Sequence, residues 1–145
     1  LRYPNVFGPR QNPHGEAGVV AIFTGKMLAG EPVTINGDGE QTRDFVFVGD
    51  CARGNYLAVT MEHQPGIYNR GWGRPTSINE IFLNLAKITS YPHPAAYAPA
   101  KVGETRHIYL DAAKANQDMG WSPTIKLEDG LRETVEYHKT SEMAL

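Results

Sequence analysis

The chain has 145 residues, 41% of them hydrophobic and 21% charged, and carries a formal net charge of −2. That composition suits about one globular domain, large enough to bury a core without staples. Lys and Arg are scattered from Arg2 to Lys139 with no basic stripe, and the longest apolar stretch (residues 19–23) is too short to span a bilayer, so neither nucleic acid nor membrane is expected as a partner.

Residues 1–3 read as the end of a buried strand. The chain opens on Leu rather than Met with that strand under way, which reads as a fragment or a processed product; no signal-peptide pattern opens it. Residues 5–16 hold Gly8, Pro9, Pro13 and Gly15 and are expected to form a loop. Residues 18–30 read as a helix, because Val19, Phe23 and Met27 recur every fourth residue and Gly30 can end it. Residues 33–35 then form a short strand, residues 36–39 (Asn-Gly-Asp-Gly) a turn, and residues 45–48 a second strand, which together look like a polar hairpin. Asp50 is expected to cap a helix reaching Glu62.

A short strand at residues 67–69 and a Gly-rich turn at residues 71–75 follow. Ser77 and Glu80 have capping-box spacing, and Ile78, Ile81, Phe82, Leu85 and Ile88 fall on one face of the helix they open. Residues 91–99 hold three prolines and read as irregular, and residues 108–110 as extended. Asp111 is expected to cap a short helix stopped by Gly120, and Leu127, Leu131 and Val135 mark a last helix with Glu128 and Asp129 in its first turn. The fold class is α/β, helices with short strands between them.

Catalytic signatures are sparse. The five histidines show no metal-ligand spacing, and no Walker loop, nucleophile elbow or G-x-G-x-x-G after a strand is present. Cys51, the single cysteine, rules out an intramolecular disulfide and fits a reducing cytoplasm; it reads either as a nucleophile or as a small packed residue at a helix start.

Three segments are richer. In the first, the strand at Leu1 runs into Asn5 and a Gly-Pro turn, placing an amide where α/β folds bind ligands, unless Asn5 only makes a local turn. In the second, Pro32 to Phe45, a strand edge can pair with a planar base and Arg43 can fork onto a diphosphate; alternatively Arg43 only pairs with Asp44 or Asp38. In the third, Lys101-Val102-Gly103-Glu104-Thr105-Arg106, cations suit phosphate and the carboxylate suits hydroxyls, with a solvated surface turn as the alternative.

Taken in order, the runs L-R-Y-x-N-V-x-G-P-R-Q at residues 1–11 and G-D-G-E-Q-T-R-D-F-V-x-V at residues 37–48, with Tyr68-Asn69, Gly71, Gly73, Gly120-Trp121 and Gly130-Leu131, resemble the C-terminal half of the extended short-chain dehydrogenases. These are the NAD-dependent epimerases and dehydratases of nucleotide sugars, and the pattern is nearest the UDP-glucose 4-epimerase type. The resemblance implies that residues 1–145 are the substrate-binding domain of such an enzyme, without its Rossmann core. The N-terminal domain that would bind NAD and carry the catalytic Tyr-x-x-x-Lys pair would precede Leu1. It implies a UDP-sugar substrate, oxidation and reduction at sugar C4, a cytoplasmic homodimer, and no catalytic residue within this chain. A dehydratase, a decarboxylase or a non-catalytic nucleotide-sugar module are the alternatives.

Carried over residue by residue, the resemblance implies that Asn5 contacts the sugar nucleotide near its phosphates. Val19 and Val20 would touch the nucleotide. Thr34, Asn36 and Phe45 would flank the base, and Arg43 would bind phosphate. Lys101 and Glu104 would hold phosphate and ribose, with Ile78 lining the pocket. Tyr3 and Pro4 would lie beside the nicotinamide. Pro4 stands where Phe is usual, Lys101 where Arg is usual, Asn36 lacks an aromatic face found in some members, and Cys51 replaces a hydrophobic residue. Tyr97 and Lys101 match the bare Tyr-x-x-x-Lys spacing, but Pro99 between them is incompatible with the helix such a pair needs.

Overall fold

The computed structural model describes residues 1–13 and 18–142, and only the backbone of the last two; residues 14–16 of the expected 5–16 loop lie outside the described residues. The elements run β1 (Asn5–Phe7), α1 (Val19–Leu28), β2 (Thr34–Asn36), β3 (Thr42–Arg43), β4 (Phe45–Phe47), α2 (Val48–Thr60), β5 (Thr76–Ser77), α3 (Ile78–Thr89), β6 (Ala96–Ala98), α4 (Ala113–Met119) and α5 (Leu127–Glu142). This is the mixed α/β composition expected.

The helices α1, α3 and α5 pack against one another. Their shared core joins Phe23 and Met27 of α1, Ile81 and Leu85 of α3, and Leu131 and Val135 of α5. Each such side chain contributes about 1.5–3 kcal/mol when buried. Ser77 starts α3: its hydroxyl oxygen accepts from the Glu80 amide at 3.0 Å. Only half of the capping box forms, because the Glu80 carboxylate turns outward to Arg74 at 3.0 Å. Gly130 sits where α5 meets the strands; a Cβ there would come within 2.8 Å of the Phe47 ring and 2.9 Å of the Phe7 ring. A smaller core lies under α2 and α4, with Trp121, Tyr68, Met119 and Cys51.

The strands pair in ways that local patterning hides. β1 pairs in parallel with β4, Asn5 opposite Phe45. β2 pairs in parallel with β6, and β3 antiparallel with β5. The expected hairpin between the strands on either side of residues 36–39 therefore does not form. Each strand takes a partner distant in sequence, and parallel pairing requires such a crossover. The expected loop from residue 5 begins with β1, and the proline-rich 91–99 segment contains β6. Residues 67–69 and 108–110 are not regular strands; Arg2 bridges Asn69 and Thr42 bridges His107 as isolated pairs.

Asp50 does not cap α2, which starts two residues earlier at Val48. Its buried carboxylate instead accepts from the amides of Thr124 (2.9 Å) and Ile125 (3.0 Å), from the Thr124 hydroxyl (2.8 Å) and from Arg53 (2.9 Å). Burial alone would raise its pKa; the Ile125 and Thr124 amides and the Arg53 guanidinium outweigh that and hold it below its ordinary value. Asp44 acts similarly, accepting from the amides of Trp72, Gly73 and Leu110 at 3.0–3.2 Å. Asp111 does not hold the cap position of α4, which falls to Ala112 without a side-chain cap; the Asp111 carboxylate instead accepts locally from the Ala113 amide at 2.8 Å, and Gly120 ends that helix with φ +61°.

Candidate functional site

A cleft of about 330 Å³ opens between the start of α1, the edge of β2, the β3 strand and the 101–106 segment. Its apolar wall is Val19, Ile22 and Phe23 of α1 with Ile78 of α3. Asn5, Thr34 and Asn36 bring polar groups from β1 and β2, and Arg43, Lys101 and Glu104 supply charge. Eight residues expected from the sequence to touch a ligand thus share one cleft: Asn5, Val19, Thr34, Asn36, Arg43, Ile78, Lys101 and Glu104. Four others do not. Val20 is buried at 1% exposure in the core, turned about 100° around α1 from Val19 and away from the cleft. Phe45 is buried, packs edge-on against Phe7, and faces a different cavity. Tyr3 and Pro4 lie outside the cleft; the Tyr3 hydroxyl donates to the Asn55 side chain, and burial raises its pKa.

The charges are held by a network across β3. Arg43 pairs with Glu104 at 2.8 Å and also donates to its neighbour's carbonyl, Thr42 O, at 2.8 Å. It pairs with neither Asp44 nor Asp38. Asp38 instead takes a two-pronged bond from Arg106, 2.8 Å on each oxygen. Those bonds, with the Glu40 amide, lower the Asp38 pKa to about 2. Thr42 N donates to Arg106 O at 2.9 Å, so the 101–106 segment is tied to β3 by backbone as well as by charge. Lys101 has no carboxylate within ion-pair distance among the described residues, and its side chain lines the cleft. Tyr97 stands on β6 opposite Ile35 and donates to Asn79, so it and Lys101 do not share a helix.

Gln41 falls within the 37–48 run but is not among the contact residues expected from it. It is buried at 7% exposure and lines the cleft, and its amide nitrogen donates to Asn36 O at 2.7 Å. Such a position depends on β2 and β3 meeting through their separate partners, which no local pattern states.

Chemically the cleft is a binding site. Two cations suit phosphate oxygens, with Arg43 able to fork onto them. The carboxylate and amides suit hydroxyls, and the α1 wall suits a planar ring. Among the described residues no Cys, His, Ser or Tyr lines it. Cys51 lies elsewhere, under α2, where burial pushes its thiol up to about 11, with Asp50 adding to the rise and Arg70 opposing it. Among the described residues no group of three or more His, Cys, Asp or Glu could hold a metal ion, and no helix is long and apolar enough to cross a membrane. A second cavity of about 310 Å³ lies between Trp72, Arg74 and Lys126. It sets two carboxylates, Glu80 and Glu128, against its two cations, where the cleft sets Glu104 alone against Arg43 and Lys101, so its lining carries less net positive charge.

The sequence profile of the NAD dependent epimerase/dehydratase family matches residues 1–71. The chain is 44% identical over 141 residues to a putative UDP-glucose 4-epimerase of Methanocaldococcus jannaschii, covering 97% of this chain and 45% of that protein. The chain belongs to the NAD-dependent epimerase/dehydratase family. Its fold agrees: the UDP-glucose 4-epimerase of Thermotoga maritima, solved with UDP-glucose, superposes with a TM-score of 0.93 at 49% identity, over 97% of this chain and 45% of the other. The Thermus thermophilus UDP-glucose 4-epimerase, solved with NAD, gives a TM-score of 0.85 at 38% identity, over 95% and 45%. The chain thus spans about 45% of the length of these family members, and its mixed α/β structure corresponds to the C-terminal portion of an extended short-chain dehydrogenase.

Proposed function

We propose that residues 1–145 are the substrate-binding domain of a nucleotide-sugar 4-epimerase and that the Arg43–Lys101 cleft takes a UDP-sugar, UDP-glucose or its C4 epimer. The observation that carries this reading is the meeting of two cations, a carboxylate and an apolar helix wall in one cleft. Arg43 and Lys101 would neutralise the diphosphate. Glu104 and Asn36 would hold hydroxyls, and Val19 with Ile22 would cover the base. Asn5, at the start of β1, would orient the sugar near its phosphates. The solved relative carrying UDP-glucose supports the choice of ligand.

The reading places NAD mainly on an N-terminal domain, with Tyr3 and Pro4 adding an edge. Tyr3 is 39% exposed and Pro4 half-buried, so both present surface, but neither lines a cavity large enough to hold a dinucleotide. When bound, NAD accepts and returns the C4 hydride. Leu1, Tyr56, Val59 and Ile67 are exposed apolar residues that such a domain would cover. A homodimer in the cytoplasm completes the proposal and rests on the family resemblance alone.

The test is an assay of this chain joined to its NAD-binding half, against a panel of UDP- and dTDP-sugars. Interconversion of UDP-glucose and UDP-galactose, absent from the 145-residue chain alone, is expected. Turnover by the chain alone, or activity restricted to dTDP-sugars, would contradict the proposal.

A further inference from the structure

Gln41 carries a buried acceptor that the protein itself does not use. Its Nε2 donates to Asn36 O at 2.7 Å. That bond fixes the amide orientation, because the flipped amide would set two oxygens against each other. Oε1 is therefore turned away, and it is buried with no hydrogen-bond partner among the described residues. Gln41 lines the cleft and also a side pocket of about 70 Å³, lined by Gly37, Lys101 and Glu104 among others. Water occupies about 30 Å³ in the liquid, so this space has room for a hydroxyl group.

A buried unpaired acceptor is costly, and a donor arriving with the ligand removes that cost. The diphosphate of a nucleotide sugar is esterified at both ends and ionised at neutral pH, so it has no donor to offer. The side pocket adjoins Lys101 and Glu104, next to the place proposed for the diphosphate. On a nucleoside diphosphate, the hydroxyl donors nearest the phosphates belong to the ribose. Resting on the UDP-sugar reading of the cleft, we infer that Gln41 Oε1 accepts a hydrogen bond from a ribose hydroxyl, which makes Gln41 a determinant of ribonucleotide over deoxyribonucleotide ligands. A site built around a hydroxyl rejects the analogue lacking it, because its own polar group is left unpaired.

Calorimetric titration of the 145-residue chain with UDP, 2′-deoxy-UDP and 3′-deoxy-UDP tests this. Wild type is expected to bind one deoxy analogue about tenfold more weakly than UDP. Gln41→Met, which lacks the acceptor, is expected to bind all three within about twofold, and Gln41→Glu, which keeps an acceptor oxygen, to retain the preference. Wild type that binds UDP and both analogues within about twofold overturns the inference while leaving the UDP-sugar reading intact, and that comparison needs no variant to fold. A preference that survives in folded Gln41→Met assigns it to another residue and also overturns the inference. Absence of UDP binding by wild type overturns both.

Discussion

Arg43 and Glu104, brought together from β3 and the 101–106 segment, form a 2.8 Å ion pair within the cleft, with the arginine side chain 13% exposed and the glutamate 34%. The guanidinium is held by this pair and by its donation to Thr42 O at 2.8 Å, and a ligand phosphate would meet its remaining N–H groups. Because the partner is half-exposed, the pair itself contributes little to stability, about 0–1 kcal/mol.

Arg43→Ala is therefore expected to weaken UDP binding by on the order of tenfold to a hundredfold while changing folding stability by less than about 1 kcal/mol. Calorimetry and thermal melts on the same samples check it. Arg43→Lys should recover only part of the affinity, since an ammonium cannot fork.

Asp50 governs stability rather than binding. Asp50→Ala would strand the Thr124 and Ile125 amides and is expected to cost roughly 2–4 kcal/mol in denaturant titrations. Its folded pKa is lowered from 3.8, so the unfolded state takes up the proton first as pH falls. The carboxylate's contribution is complete above about pH 5 and is lost as pH falls through the lowered folded value. The stability gap between wild type and Asp50→Ala should accordingly narrow below pH 3.8. A gap that widens there would contradict this assignment.

Arg70 offers the opposite case. It is fully buried, its Nε and Nη1 have no hydrogen-bond partner among the described residues, and burial lowers its pKa. Its compensation is one bond to Gly54 O at 3.1 Å, a weak contact to the Met119 sulfur, and a position 4.9 Å from the centre of the Trp121 ring. Desolvation of an unpaired cation exceeds what these return. Arg70→Met is expected to stabilise the chain by about 1–3 kcal/mol. A lower melting temperature would show that the stacking on Trp121 outweighs the burial.

Much of this was legible in the residues because helices are local. The Val19–Phe23–Met27 spacing and the Ser77 cap identify α1 and α3 without reference to anything distant. The charged cleft residues were legible through motif order, since Arg43 and Lys101 stand at recognisable offsets from Asn5. Pairing was not legible: β2 finds β6 across the length of α3, and the three prolines of residues 91–99 mask that strand. Val20 and Phe45 fall outside the cleft for a related reason. Proximity along the chain to a binding residue does not say which side of the helix or strand faces the ligand. Asp44 and Asp50 looked like surface turn and cap residues, and only the fold shows them buried and accepting from distant loops.

An amide-resolved NMR titration of the chain with UDP tests the proposed site most directly. The cleft reading predicts saturable shifts confined to the cleft lining: Asn5 and Ile78 with residues 18–23, 34–36, 41–43 and 101–104. Absence of shifts, or shifts clustered around Trp72 and Arg74, would contradict it.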